Sequence, residues 1–187
     1  PQVNAFALPG GFVGINSGLI LTAQSESELA GVVSHEVAHV TQRHMARMVA
    51  QQKQSQILSL AALAVAIQAA LMAAQASAIQ SSLNYTRDHE READRVGFQV
   101  LEKAGFDAHA MALFFERMQR STRYYETNAP AYMRTHPITY ERIADMQNRA
   151  QNLPYRQVPD SLEFQLMRAK IRAAQDNPQD SVTFFEE

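Results

Sequence analysis

The stretch SESELAGVVSHEVAHV, residues 25–40, predicts a helix and carries the first chemical signal of the chain. Ser25 and Glu28 have the spacing of a capping box, in which both side chains accept hydrogen bonds from backbone N–H groups at a helix start. The apolar residues that follow recur at helical spacing, so capping and periodicity indicate the same element independently. We expect this helix to run from residue 25 to about residue 49.

A pair of histidines lies on one face of this predicted helix. His35 and His39 are four residues apart, which places them about 6 Å apart along the axis. Two neutral imidazoles at that spacing can bind one Zn²⁺ ion, and Glu36 is placed to act as a general base toward water. The competing interpretation is a pair of buried structural histidines around a solvated glutamate. A third ligand decides between the two.

Composition limits the class of protein. The 187 residues carry a formal net charge of −2 and are 46% hydrophobic, which suits one globular domain with a real core. The near-neutral charge, without a basic stripe of interleaved aromatic residues, argues against nucleic-acid binding. The absence of Cys rules out disulfides and cysteine-based zinc sites.

The fold class indicated by the pattern is α+β and mostly α. PGG at residues 9–11 joins two extended stretches, 3–8 and 12–16, into a small hairpin that NSG at 16–18 closes. Gly14 in the second stretch would allow another backbone to approach closely. Helical spacing predicts further helices at about 54–83, 86–104, 108–120, 137–151 and 160–176, with Pro137 in the first turn of its helix.

An Ala-rich apolar tract at residues 57–78 is long enough to suggest a membrane span. Gln68 and Gln75 interrupt it and large apolar side chains are sparse, so we expect a long helix packed within the fold. A membrane-embedded protease and a helix that touches a membrane or a partner are the alternatives. The proline-containing stretch 152–160 predicts a linker, which divides the chain into a domain at 1–151 and a C-terminal helical region at 152–187.

The third ligand is sought first close to the histidine pair. The pattern HExxHxxGxxH fails, because Met45 stands where a third histidine would be required. His44 is five residues past His39 and about 140° around a continuous helix, so we expect a polar neighbour of the site and not a ligand.

The segment DHEREADRVG, residues 88–97, offers carboxylates instead. Glu90 and Asp94 share a helix face with small and apolar residues, whereas Glu92 and Asp88 share theirs with arginines. Buried carboxylates are costly unless they are paired or bind a metal. We therefore predict that Glu90 binds the zinc ion, that Asp94 accepts a hydrogen bond from the outer ring N–H of His35, and that Glu92 is solvated.

Together these motifs identify a family resemblance. HEVAH followed by EREAD at 90–94 resembles the gluzincins that include HtpX, the CAAX prenyl endopeptidases and the periplasmic BepA-like proteases. NAFALPGGFVGINSGLI at 4–20 is similar to the family's substrate-binding edge strand, and RTHP at 134–137 with ERIADMQ at 141–147 resembles its late motif. The match covers residues 4–147 and is closest to the BepA-like branch.

The resemblance implies a zincin-like zinc metalloendopeptidase with one Zn²⁺ per chain and protein or peptide substrates. It implies a periplasmic or membrane-associated location in a bacterium, a role in envelope protein quality control, contact with a membrane or with outer-membrane assembly machinery, and tetratricopeptide-type helices after residue 159. The oligomeric state stays open. The expected substrate-binding residues are Phe12, Val13, Gly14 and Ile15, to which a substrate strand would add.

His136 in the late motif has several candidate roles. A helix starting at Pro137 would keep its ring neutral through the helix dipole. The ring could then steady an oxyanion as a catalytic residue, fill a fourth metal position, or merely cap the helix. The resemblance implies the metal position, in a latent state, and we expect 124–135 to be a mobile loop. Arg142 would anchor that loop or contact substrate. A permanently bound His136 favours the alternative function, a chaperone-like or assembly-factor binding module with a closed zinc site.

Overall fold

The computed structural model describes residues 2–8, 10–63, 68–122 and 130–175, with side chains described outside 55–63, 68–85 and 122. The described chain is mostly helical with one two-stranded antiparallel sheet, so the predicted fold class is confirmed. In chain order the elements are β1 (Ala5–Ala7), β2 (Val13–Ile15), α1 (Ser17–Thr22), α2 (Glu26–Thr41), α3 (His44–Leu63), α4 (Gln68–Lys103), α5 (His109–Thr122), α6 (Ala131–Thr135), α7 (Tyr140–Gln151) and α8 (Leu162–Gln175).

Helix α2 begins at the predicted capping box. The Ser25 hydroxyl accepts a hydrogen bond from the backbone N–H of Glu28 at 3.2 Å. The Glu28 carboxylate accepts one from the backbone N–H of Gln24 at 2.7 Å and also pairs with Arg117 on α5. The start of α2 is therefore tied both to the preceding turn and to a neighbouring helix.

The single helix predicted over 25–49 is wrong, because two helices occupy that stretch. Helix α2 ends at Thr41, α3 begins at His44, and Arg43 between them has a φ of 55°. A left-handed residue ends an α-helix, and arginine adopts that conformation rarely, so the pattern contains no signal for the break. The chain changes direction just before His44.

The interruption predicted between 83 and 86 is also wrong, because α4 runs from Gln68 to Lys103. The polar and aromatic residues there lower helix propensity only slightly and do not end a helix. The Ala-rich tract falls in α3 and α4, with residues 64–67 outside the described part of the chain. Among the described residues, no helix combines the length and the apolar character that a bilayer crossing requires.

Two glycines let neighbouring helices pack closely against α2. A Cβ built on Gly97 of α4 would lie 3.0 Å from the backbone N and Cα of His35, and one on Gly31 would lie 3.2 Å from Met111 Cα on α5. The fully buried side chains around these crossings include Val32, Leu101, Met111, Phe114, Phe115 and Met146. The histidine face of α2 is thus held against α4 by a backbone-to-backbone contact.

Three local predictions need correction. Residues 16–18 do not form a separate closing turn: the Asn16 N–H still donates to Asn4 O at 3.0 Å, and Ser17 and Gly18 already belong to the short helix α1. Pro137 does not start a helix: α7 begins at Tyr140, and Thr139 caps it by accepting from Arg142 N at 3.3 Å. Part of the predicted loop 124–135 is the short helix α6, while residues 123–129 lie outside the described residues.

Helix α8 lies within the helix predicted at 160–176. The residues before it dock on the start of α2, since Asp160 accepts a hydrogen bond from Glu26 N at 2.7 Å and Ser161 N donates to the Glu26 carboxylate at 2.8 Å. Phe164 of α8 is buried. The domain boundary at 151/152 remains a prediction.

Replacing Gly97 by Ala tests the close contact of α2 and α4. Although Ala is the better helix former, its methyl group would press on the backbone of His35, so we expect a loss of about 1–3 kcal/mol in the free energy of unfolding. Chemical denaturation measures it. Gln99→Ala, at an exposed position of the same helix, should change it by less than about 0.5 kcal/mol. A stabilised G97A variant would show that the helices are not in this contact.

Candidate metal centre

Helix α2 presents both histidines of the pentad to the interior of the domain. His35 is fully buried and His39 is partly exposed, and their Nε2 atoms lie 3.0 Å apart. Both rings therefore direct the same nitrogen toward one point, as expected for residues one helical turn apart.

Two further side chains reach the same point from other elements. Glu90 of α4 places Oε2 at 3.4 Å from His35 Nε2 and Oε1 at 3.4 Å from His39 Nε2. His136, directly after α6, places Nδ1 at 3.0 Å from Glu90 Oε1 and 3.4 Å from His35 Nε2. The four predicted ligand residues thus converge, with one donor atom of each within 4.8 Å of the others.

The spacing of these donor atoms suits tetrahedral zinc. With zinc–ligand distances of about 2.0–2.1 Å, the ligand atoms of a tetrahedron lie roughly 3.3–3.4 Å apart. Five donor pairs, with Glu90 using Oε2 toward His35 and Oε1 toward His39 and His136, lie 3.0 to 3.4 Å apart, close to that edge length, and the four donor atoms all lie within 4.8 Å of one another. Three imidazole nitrogens and one carboxylate oxygen are also donors that Zn²⁺ accepts.

Charge favours a cation at this point. Burial disfavours the imidazolium of His35, yet Asp94 and Glu90 outweigh it and raise the pKa of His35 to about 9. Burial also opposes ionisation of Glu90, but hydrogen bonds from His136, His35 and His39 outweigh it and hold the pKa of Glu90 well below its usual value. The negative charge of Asp94 and Glu90 thus favours a proton on His35. The same charge attracts a divalent cation, whose binding releases that proton from His35.

Asp94 and Arg142 support the cluster from behind. Asp94 Oδ1 lies 3.0 Å from the outer nitrogen of His35, Nδ1, where we predicted it. Arg142 donates two hydrogen bonds of 2.7 Å to Asp94, and its Nη1 lies 2.9 Å from Glu90 Oε2. It also donates to the carbonyl oxygen of Pro137 at 2.7 Å, which ties it to the segment that carries His136.

Glu36 lies next to the cluster without belonging to it. Its carboxylate is buried, and neither oxygen meets hydrogen-bond geometry with a described residue. Nε2 of His136 lies 3.4 Å from Oε1. Burial raises the pKa of Glu36, which favours its holding a proton. This is the setting expected of a base that exchanges protons with a small polar molecule.

A groove of about 960 Å³ opens onto Glu36, His39, Glu90 and His136. Residues of β1 and the following turn form one wall, and apolar residues of α2 and α3 form the other. The large apolar side chains that line it are Phe6, Leu8, Val40, Met45, Met48 and Val49.

The strand that lines the groove is β1, whereas the substrate-binding residues predicted from the sequence lie on and beside β2. Phe12, Val13, Gly14 and Ile15 do not line this groove. The Leu8 N–H donates to Phe12 O at 2.8 Å, so by antiparallel alternation Ala5 and Ala7 direct their backbone groups to the opposite edge, away from β2.

That opposite edge of β1 is the one near Glu36, because β1 lies between β2 and α2. The predicted close approach at Gly14 is real but involves a ring instead of another backbone. A Cβ on Gly14 would lie 2.4 Å from Phe6 Cζ.

The prediction that His136 precedes a helix start is also wrong. His136 follows the C-terminus of α6 and is not at a helix N-terminus, so the dipole argument does not apply. Its ring is stacked on Tyr132, with centroids 4.8 Å apart. Tyr132 was not singled out from the sequence, although its spacing of four residues from His136 was visible there.

Glu92 lies in another environment than the sequence indicated, whereas His44 lies where it was predicted. Glu92 is not simply solvated, since it pairs with Arg47 and His44, and its side chain is only 27% exposed. His44 lies against His39, with 2.9 Å between their Nδ1 atoms. His44 is thus a polar neighbour of the site, as predicted.

Comparison with known proteins identifies the family of the chain. The sequence model of peptidase family M48 matches residues 1–150. The chain is 45% identical over 182 residues to a putative beta-barrel assembly-enhancing protease of Vibrio cholerae serotype O1, covering 92% of the chain and 37% of that protein. It is 36% identical over 192 residues to the beta-barrel assembly-enhancing protease of Escherichia coli strain K12, covering 97% and 39%.

A more distant relative is the mitochondrial metalloendopeptidase OMA1 of Schizosaccharomyces pombe, 33% identical over 143 residues that cover 76% of the chain and 42% of that protein. The chain spans about two fifths of the length of these curated relatives. Because the family match takes in every residue of the cluster, from His35 to His136, the chain belongs to peptidase family M48.

Proposed function

We propose that this chain is the peptidase domain of a zinc-dependent metalloendopeptidase that hydrolyses peptide bonds in proteins. The observation that carries the proposal is the convergence of His35, His39 and Glu90 at tetrahedral spacing beside the buried Glu36. The names of the bacterial relatives, beta-barrel assembly-enhancing protease, support a role in envelope protein quality control, in the periplasm or at a membrane. Contact with outer-membrane assembly machinery is part of the same proposal.

The residues divide the chemistry among them. His35, His39 and Glu90 would hold the ion, and Asp94, whose Oδ1 lies 3.0 Å from the outer nitrogen of His35, would fix the orientation of that ring. A bound Zn²⁺ supplies Lewis acidity, which polarises the scissile carbonyl and acidifies water. Glu36 takes a proton from the attacking water and delivers it to the leaving amine nitrogen. A raised pKa suits this exchange, because the carboxyl group must both accept and release a proton.

The groove indicates how a substrate lies. An extended segment adds to the edge of β1 at the backbone of Ala7, which lines the groove, whereas Ala5 is buried; backbone pairing gives affinity with little sequence preference. Large apolar side chains of the segment then enter the wall formed by Met45, Met48 and Val49. Unfolded proteins present such segments, whereas folded proteins keep them buried.

His136 closes the site in the proposed latent state. Its Nδ1 occupies the fourth corner of the donor set, where water and substrate would otherwise enter. The same observation favours a second candidate function, a binding module whose zinc site stays closed. In the enzyme His136 must be able to leave the metal position, whereas in the binding module it stays bound there.

The variant Glu36→Gln tests the catalytic assignment. It keeps the metal ligands and the shape of the side chain but cannot accept a proton, so we expect unchanged zinc content and loss of peptide hydrolysis. Metal analysis and cleavage of an unfolded protein such as casein measure the two. Hydrolysis near the wild-type rate would remove Glu36 from this role.

The variant His136→Ala tests the gate. If the ring only occupies the fourth position, its removal should raise the rate of casein cleavage while the zinc content stays the same. A fall in rate of about 10²–10³-fold would assign His136 to oxyanion stabilisation instead. An unchanged rate would leave His136 with a structural role and count against the latent state.

A further inference from the structure

A row of hydrogen-bonded side chains, made of His44, Glu92 and Arg47, begins at His39 and leads away from the metal centre. His44 Nδ1 lies 2.9 Å from His39 Nδ1, and His44 Nε2 lies 3.1 Å from Glu92 Oε2. Arg47 donates to the same Glu92 oxygen at 2.6 Å. The His44 ring is 2% exposed and stacks on His89 with centroids 4.3 Å apart and planes 14° apart. His44 is therefore fixed between a metal ligand and a carboxylate.

The protons along this row can be arranged in only one way when His39 binds a metal through Nε2. That nitrogen must carry a lone pair, so the proton of the neutral His39 ring is on Nδ1. His39 then donates to Nδ1 of His44, which must accept, so the proton of His44 is on Nε2 and is donated to Glu92. Every ring is neutral, and each donor meets an acceptor.

His39 is supported in the same way as His35, by a carboxylate that an arginine holds, but with one additional side chain between ligand and carboxylate. His35 contacts Asp94 directly, and Arg142 holds that carboxylate. His39 reaches Glu92 through His44, and Arg47 holds that carboxylate. We propose that His44 and Glu92 are positioning residues that fix the tautomer and the ring orientation of His39, and thereby strengthen metal binding.

The break between α2 and α3 makes this row possible. On a continuous helix His44 would lie about 140° away from His39. The left-handed Arg43, with a φ of 55°, turns the chain so that the ring of His44 returns to the ring of His39. An uncommon backbone conformation for arginine thus places a side chain at the metal centre.

The inference rests on the metal site of the proposed function, and zinc affinity measured by competition with a chromogenic chelator tests it. We expect His44→Ala and Glu92→Ala each to raise the zinc dissociation constant by about 10–100-fold. Glu92→Gln should lose less than Glu92→Ala, because its amide oxygen still accepts from His44. Glu102→Ala, at an exposed acidic position of the same helix, is the control and should match the wild type.

A double variant that lacks the side chains of both His44 and Glu92 shows whether the two residues act through one another or independently. Because Glu92 acts through His44, the variant lacking both side chains should bind zinc about as weakly as His44→Ala alone. Nitrogen-15 spectra of the zinc-loaded wild type should show His44 protonated at Nε2 and His39 at Nδ1.

Wild-type affinity in both single variants, or losses that multiply in the double variant, would overturn the proposal. A wild-type protein that binds no zinc would instead contradict the metal site itself. If His44→Ala does not fold, the comparison of Glu92→Ala with Glu92→Gln still decides, since equal affinities of those two would contradict the hydrogen-bonded row.

Discussion

Two carboxylates, Glu90 and Asp94, are buried one turn apart on α4, and the surrounding structure compensates their charge. A buried carboxylate costs several kcal/mol unless it is paired and hydrogen-bonded. Arg142 supplies a charge-assisted, two-pronged pair to Asp94 and a third contact to Glu90. The remaining lone pairs of Glu90 point at the histidines, where a divalent cation would complete the compensation.

The same guanidinium links the metal centre to the segment that carries His136. Arg142 donates to the carbonyl oxygen of Pro137, while Tyr132 stacks on the ring of His136 from the other side. For the proposed gate to open, the ring of His136 must leave its stack with Tyr132 and its 3.0 Å contact with Glu90. These contacts are the ones that a competing ligand or substrate has to replace.

Much of the centre was predictable because its residues follow helical spacing. The pentad, the capping box and the apolar face of Glu90 and Asp94 each depend on neighbours three or four residues apart. The solvated position predicted for Glu92 was wrong, and its contact with His44 was not foreseen, because that contact depends on Arg43, whose left-handed conformation has no sequence signature. The position of β1 along the groove was not predicted for a similar reason: which edge of a hairpin faces a helix is decided by packing, which alternation within the strands does not reveal.

The zinc K-edge X-ray absorption spectrum of the metal-loaded protein tests the central claim most directly. The account predicts one zinc ion per chain with four nitrogen or oxygen ligands at about 2.0–2.1 Å, three of them giving the scattering pattern of imidazole. In Glu90→Ala the bound zinc should be lost, whereas Asp88→Ala, whose side chain is 71% exposed, should leave the spectrum unchanged. A wild-type spectrum without imidazole scattering, or an identical spectrum in Glu90→Ala, would contradict it.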